Sequence, residues 1–244
     1  MMAFPAHGFV LLAMPKCAST SIEAALSPYA SLVIDRPPSR KHLGCRGFAK
    51  RVAPGLAAEG HPRESYELVT MFREPVAWLE SWWRYRFRLD GEIDNSTQDL
   101  TFEDYARRYV DGDPTAPTPR GRPGQFLTVD GRVEVDRVFA VERPDTWMPW
   151  FGSRLGADLT FERRNVSQVS QVSQGSRRVT PELSEATRSE LIDYFAPEYA
   201  VQSRLAETGQ WAGARGTPLA VPARPRKNPN ARDRHAQDRE PQKS

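Results

Sequence analysis

The first strong pattern in the chain is a continuous apolar run, Gly8-Phe-Val-Leu-Leu-Ala-Met14, whose length suits a strand covered on both faces, as in a parallel sheet. A loop of small and hydroxyl residues follows, and Ile22 to Leu26 read as the first turns of a helix. A second strand-like run, Tyr66-Glu-Leu-Val-Thr-Met-Phe72, passes through Arg73-Glu74 to Pro75, a favourable first helical residue. From Val76 to Leu89 the positions Trp78, Trp82, Tyr85 and Leu89 recur at helical spacing, with Leu79, Trp83 and Phe87 beside them. That spacing assigns the aromatic set mainly to packing, with one ring left facing a cleft.

Further along, Thr101 is placed to cap a helix running to Val110, and Asp111 to Gly124, with four prolines and three glycines, reads as loop. Residues 126–135 alternate around Asp130-Gly131, a hairpin signal. Val138 to Val141 predicts another strand, and Pro144 to Leu155 a helix. Thr180-Pro181 reads as a cap and first position of a helix ending near Phe195. Strands alternating with helices predict an α/β fold, a mostly parallel sheet flanked by helices on both faces.

Length and charge refine this picture. The 244 residues fit one domain over 1–212 and a tail over 213–244. The tail is rich in Pro, Arg, Asn and Gln, with almost nothing apolar after Val221, so disorder is expected there. Its eight basic and three acidic residues give +5, leaving −2 for residues 1–212 of a chain whose formal charge is +3. The basic balance belongs to the tail, and a nucleic-acid partner is not expected. No run approaches the roughly 18 apolar residues that span a bilayer, and no export signal is evident, so a cytoplasmic location is expected. The sparse pair Cys17 and Cys45 reads as free thiols.

The segment most informative about chemistry is Met14-Pro-Lys-Cys-Ala-Ser-Thr-Ser-Ile-Glu23. It joins a buried strand to a helix through residues small enough for backbone N–H groups to converge on an anion. Those amides, the helix dipole and Lys16 make a phosphate site. A Walker A loop would need its two glycines, which are missing. A cysteine phosphatase would carry an arginine six residues beyond Cys17, where Glu23 stands, so Cys17 reads as a small loop residue. Arg73, leaving the carboxyl end of a strand, can clamp a phosphate with its planar fork.

Pro15, Lys16, Cys17, Ala18, Ser19, Thr20 and Ser21 resemble the 5′-phosphosulfate loop of sulfotransferases that use 3′-phosphoadenosine 5′-phosphosulfate (PAPS), with Ala18 where many members have glycine. Phe72-Arg73-Glu74-Pro75 with Ser81 is similar to the family's second signature, which holds the 3′-phosphate. The stretches Arg40-Lys41-His42-Leu43 and 125–142 look like the branch that sulfates carbohydrates. Residues 173–182 resemble its C-terminal nucleotide loop, with Gly175-Ser176-Arg177 in place of the usual Lys-Gly-Arg.

The resemblance implies a P-loop-like sulfotransferase fold and transfer of a sulfuryl group from PAPS to a hydroxyl acceptor, a carbohydrate or glycan, releasing adenosine 3′,5′-bisphosphate. Lys16 and His42 are then the expected catalytic residues, with His61 and Glu23 as alternatives for the general base. Lys16, Cys17, Ala18, Ser19, Thr20, Ser21, Arg73, Ser81, Gly175 and Arg177 are the expected nucleotide contacts. No metal is expected. Two other readings stay open at this point, a divergent P-loop nucleotide phosphotransferase and a non-catalytic nucleotide- or anion-binding module.

Overall fold

A computed structural model of the chain describes residues 1–88, 96–119, 121–161 and 181–222. Its strands are β1 (Met2–Phe4), β2 (Phe9–Leu12), β3 (Leu32–Val33), β4 (Glu67–Phe72), β5 (Thr128–Val129), β6 (Arg132–Val133), β7 (Arg137–Ala140) and β8 (Gln210–Ala212). Early helices are α1 (Ser19–Leu26), α2 (Pro38–Lys41), α3 (Cys45–Arg51), α4 (Ala53–Ala58) and α5 (Pro75–Phe87). Later ones are α6 (Phe102–Val110), α7 (Pro123–Leu127), α8 (Pro144–Leu155), α9 (Glu185–Tyr194) and α10 (Ala196–Leu205). Among the described residues, no helix is long and apolar enough to cross a membrane.

The central sheet has the order β3-β1-β2-β4-β7-β8 and is flanked by helices. Its middle strands β2, β4 and β7 are parallel, with Leu11 opposite Val69 and Thr70 opposite Val138. The outer strands β1, β3 and β8 are antiparallel to their neighbours, so the sheet is mixed and the expectation of a mostly parallel one is corrected. The reason is local. The single turn Pro5–His7 closes on Gly8 in the left-handed region (φ 69°) and folds β1 straight back onto β2. β8 likewise returns along β7, pairing Trp211 with Val138. Asp130 (φ 48°) and Gly131 (φ 77°) form the turn of the separate β5–β6 hairpin, as the Asp-Gly signal predicts.

All four residues of β2 are buried, which requires cover on both faces of the sheet. Phe4 stacks on Phe9 with ring centroids 4.4 Å apart, and Phe9, Phe139, Trp150 and Phe151 continue that cluster. Each such buried side chain contributes about 1.5–3 kcal/mol of transfer free energy. The fully buried Thr70 hydroxyl donates to the Leu12 carbonyl at 3.0 Å and ties β4 to β2. Cys17 and Cys45 are buried free thiols.

Caps decide where the helices begin. The Thr101 hydroxyl accepts from the Asp104 N–H at 3.0 Å, as expected, and Glu74 accepts from the Ala77 N–H at 2.6 Å ahead of Pro75. Thr180 lies outside the described residues, and Pro181 precedes α9 without opening it. Ser184 is the cap, accepting from the Thr187 N–H at 3.2 Å and donating to Glu103 at 2.9 Å. The loop expected over 111–124 ends instead in α7, opened by Pro123.

Residues 213–222 correct the expected tail boundary. Ala214 is fully buried and donates its N–H to the Asp136 carbonyl at 3.1 Å, while the Gly216 and Leu219 amides donate to Val133 and Gly131. Composition hid this because the pairing uses backbone groups and few apolar side chains. Residues 223–244 lie outside the described residues.

Candidate functional site

The parallel strands β2, β4 and β7 end on one edge of the sheet, at Leu12, Phe72 and Ala140. In sheets of this kind ligands bind beyond the carboxyl ends of the strands. The segments leaving that edge are joined to one another. The Val141 N–H donates to the Phe72 carbonyl at 2.8 Å, and the Glu74 N–H to Glu142 at 3.3 Å.

After β2 the chain turns tightly into α1, with Lys16 (φ 65°) and Ala18 (φ 58°) both left-handed. Each costs a non-glycine residue about 1–2 kcal/mol. Ala18 supplies no side-chain cap, so the first amides of α1 are left for an anion or solvent. The Trp78 indole N–H donates to the Pro15 carbonyl at 3.0 Å and pins the loop to α5.

Cys17 is buried under the loop and accepts a hydrogen bond from the Arg73 backbone N–H. Burial pushes its thiol up to about 12, which disfavours the thiolate and fits the loop-residue reading. Ser19 and Ser21 are half-buried and Thr20 is exposed, at the start of α1. Ser81 is half-buried on α5, the same helix that begins just after Arg73.

Three donors in this region have unusual surroundings. The buried Nε of Arg73 has no hydrogen-bond partner in the protein, and neither has the buried indole N–H of Trp82. Such orphans are costly unless a ligand or water completes them. Lys16 places Nζ 3.3 Å from the centroid of the Tyr85 ring and 4.8 Å from that of Trp82. Burial, and then repulsion from Arg88, Arg86 and Arg73, lowers its pKa to about 7. Sequence spacing put Trp82 and Tyr85 on one helix, but not against Lys16. Trp78 and Trp83 are core residues, whereas Tyr85 is 44% exposed.

His42 comes to the same loop from α2, its Nδ1 lying 2.7 Å from the Ala13 carbonyl. A carbonyl only accepts, so Nδ1 carries the proton and Nε2 is the basic nitrogen. Burial lowers its pKa, only partly offset by the Ala13 carbonyl. The rival bases fare differently. Glu23 is held by Lys41 Nζ at 2.5 Å, with the Met1 ammonium at 3.8 Å. His61 precedes β4, at the amino end of the parallel strands. Gly175 and Arg177 lie outside the described residues.

A cleft of about 540 Å³ opens beside the loop, lined by Pro15, Gly44, Trp78, Trp82, Arg86 and Phe126, among others. That size lies in the range of small-molecule sites. A Cβ on Gly44 would stand 2.9 Å from the Phe126 carbonyl oxygen, so the wall closes tightly there. Another wall is the segment 121–126, anchored by a pair that sequence patterns did not reveal. Arg122 donates to Glu198 through Nε at 2.9 Å and Nη2 at 2.5 Å, and both side chains are almost wholly buried. Among the described residues, no group of three or more His, Cys, Asp or Glu is placed to hold a metal.

The chain matches no family model, no curated protein and no solved structure.

Proposed function

We propose that the protein is a sulfotransferase of P-loop-like architecture that moves the sulfuryl group of PAPS to a hydroxyl acceptor, a carbohydrate or glycan. The observation that carries this reading is the buried, unpartnered Arg73 Nε beside a left-handed anion loop bearing Lys16, at the shared edge of β2 and β4. Two anionic groups of one ligand, a 5′-phosphosulfate and a 3′-phosphate, would satisfy both. The loop amides with Ser19, Thr20 and Ser21 serve the first, and Arg73 with Ser81 the second.

In this reading the acceptor lies in the cleft and its hydroxyl oxygen attacks sulfur in line. The S–O bond to the 5′-phosphate breaks, His42 Nε2 takes the hydroxyl proton, and the Lys16 ammonium neutralises the charge left on the phosphate oxygen. The products are the sulfated acceptor and adenosine 3′,5′-bisphosphate, and the charge balance needs no metal.

The deciding experiment is metal-free calorimetry of adenosine 3′,5′-bisphosphate against ADP and AMP. The bisphosphate is expected to bind selectively, and Arg73→Ala to weaken it by about ten- to a hundredfold, the worth of a charged hydrogen bond. Equal binding of all three would remove the assignment and direct attention to ATP with magnesium. His42→Ala is expected to lower kcat by about a hundredfold. Because burial lowers the His42 pKa, the acid limb of the wild-type profile should fall below the ordinary histidine value of 6.5. A profile of kcat/KM from pH 4.5 to 8 checks both, and an acid limb unchanged in His42→Ala would discard this base.

A further inference from the structure

Trp82, Tyr85 and Arg86 sit at i, i+3 and i+4 on α5 and so share one face. That face meets the anion loop. The rings of Trp82 and Tyr85 stand nearly perpendicular, with centroids 6.0 Å apart and an interplanar angle of 83°, and the Lys16 ammonium lies in the corner between them. One turn earlier on the same helix, Trp78 holds the Pro15 carbonyl. A single helix therefore fixes both the backbone before Lys16 and the tip of its side chain.

We propose that Trp82 and Tyr85 are positioning residues, a ring seat that presents the Lys16 ammonium beside the anion loop and yields it to the leaving phosphate of the donor. The assignment rests on the sulfuryl-transfer reading for its role in the reaction, while the seat itself rests on the ring geometry.

The physical argument has two parts. A cation over ring faces is held more weakly than one hydrogen-bonded to phosphate oxygens, so the rings limit the lysine's rotamers without competing with the donor. The rings also cover part of the ammonium, and among the described residues the charged groups that lower its pKa are cations: Arg88 and Arg86 from the end of α5 and α5 itself, and Arg73 after β4. An ammonium in such surroundings gains from meeting an anion. Trp82 lines the cleft as well, so an acceptor seated there touches a ring that touches the lysine.

The chain has five lysines, which makes a lysine-selective spectrum readable. In protein carrying 13Cε-labelled lysine, prepared without nucleotide, one ε signal is expected upfield of the other four because of the Tyr85 ring current, and Lys16→Met should delete it. Tyr85→Phe should keep the displacement and Tyr85→Leu should abolish it. Tyr85 is 44% exposed, so neither change threatens the fold. Adenosine 3′,5′-bisphosphate should draw the wild-type signal back toward the others, and Tyr85→Leu should lower kcat about tenfold with Tyr85→Phe restoring it. An upfield signal that survives Tyr85→Leu, or none at all, overturns the seat. A signal that stays in place while the bisphosphate binds overturns the transfer to phosphate. If the bisphosphate does not bind, the sulfuryl-transfer reading falls and the transfer with it, and Tyr85→Leu judges the seat separately.

Discussion

Lys16→Met is expected to lower turnover by about 10²–10³-fold, the usual loss when one donor to developing charge is removed, while raising the melting temperature. The two effects have one cause. The Lys16 ammonium is half-buried against rings with Arg88, Arg86 and Arg73 bearing on it, an arrangement that an anion would relieve. Methionine fills the same volume against Trp82 and Tyr85 without the charge. A gain of about 1 kcal/mol is expected from exchanging a poorly compensated ion for an apolar side chain, a rise of about 2–4 °C for a chain of this size.

The sign of the pH dependence separates this account from a generic packing gain. The folded Lys16 pKa, about 7, lies below the ordinary lysine value of 10.5, so between these values the unfolded chain holds the extra proton. Wild-type stability therefore gains with pH across that window, and the full cost is present below pH 7. The advantage of Lys16→Met should be largest at pH 6 and should shrink steadily by pH 10. Thermal melts of both proteins across that range check it, and an advantage independent of pH would discard the buried ammonium as its source. In turnover the sign is opposite. On the sulfuryl-transfer proposal the ammonium is the active form, so the KM for the donor should rise as pH climbs above 7.

Much of this arrangement was legible because the features are local. Thr101 through its hydroxyl, and Pro75 and Asp130-Gly131 through their backbone preferences, each set one cap or turn, and each stands where the sequence put it. The strand-loop-helix segment around Lys16 was equally readable. Ala18 in that segment has a φ of 58°, a left-handed conformation that glycine adopts without strain. What escaped depends on contacts far apart in the chain. β1 and β8 are three residues each, too short for any periodicity to register. α10 was missed because its buried face is Glu198, Val201 and Leu205, with a carboxylate where an apolar residue would complete the stripe. The aromatic spacing on α5 identified a face without saying what met it. Only the fold brings Lys16 to Tyr85 and His42 to Ala13.

Glu198 is also the subject of the largest expected effect on stability. Its carboxylate takes both forks of Arg122 and the Gly124 N–H at 3.0 Å, in a site where neither side chain reaches solvent. Arg122 in turn donates to the Tyr194 carbonyl and lies 4.4 Å from the Tyr194 ring centroid. Glu198→Ala strands a buried guanidinium and an amide at once, and is expected to cost about 3–5 kcal/mol. Because Arg122 and Gly121 line the cleft, the loss should reach the proposed acceptor side of the site before the loop around Lys16. Bisphosphate binding should then persist in the remaining folded fraction while acceptor KM rises. The double variant Arg122→Met/Glu198→Leu removes both charges together and should recover most of the loss, since a buried pair costs nearly as much to desolvate as it returns. Urea unfolding of the wild type, the two single variants and the double variant measures this coupling. If the double variant is as unstable as the sum of the singles, the pair does not act as a unit. The 121–126 wall must then be held by the packing of Pro123 and Leu127 instead.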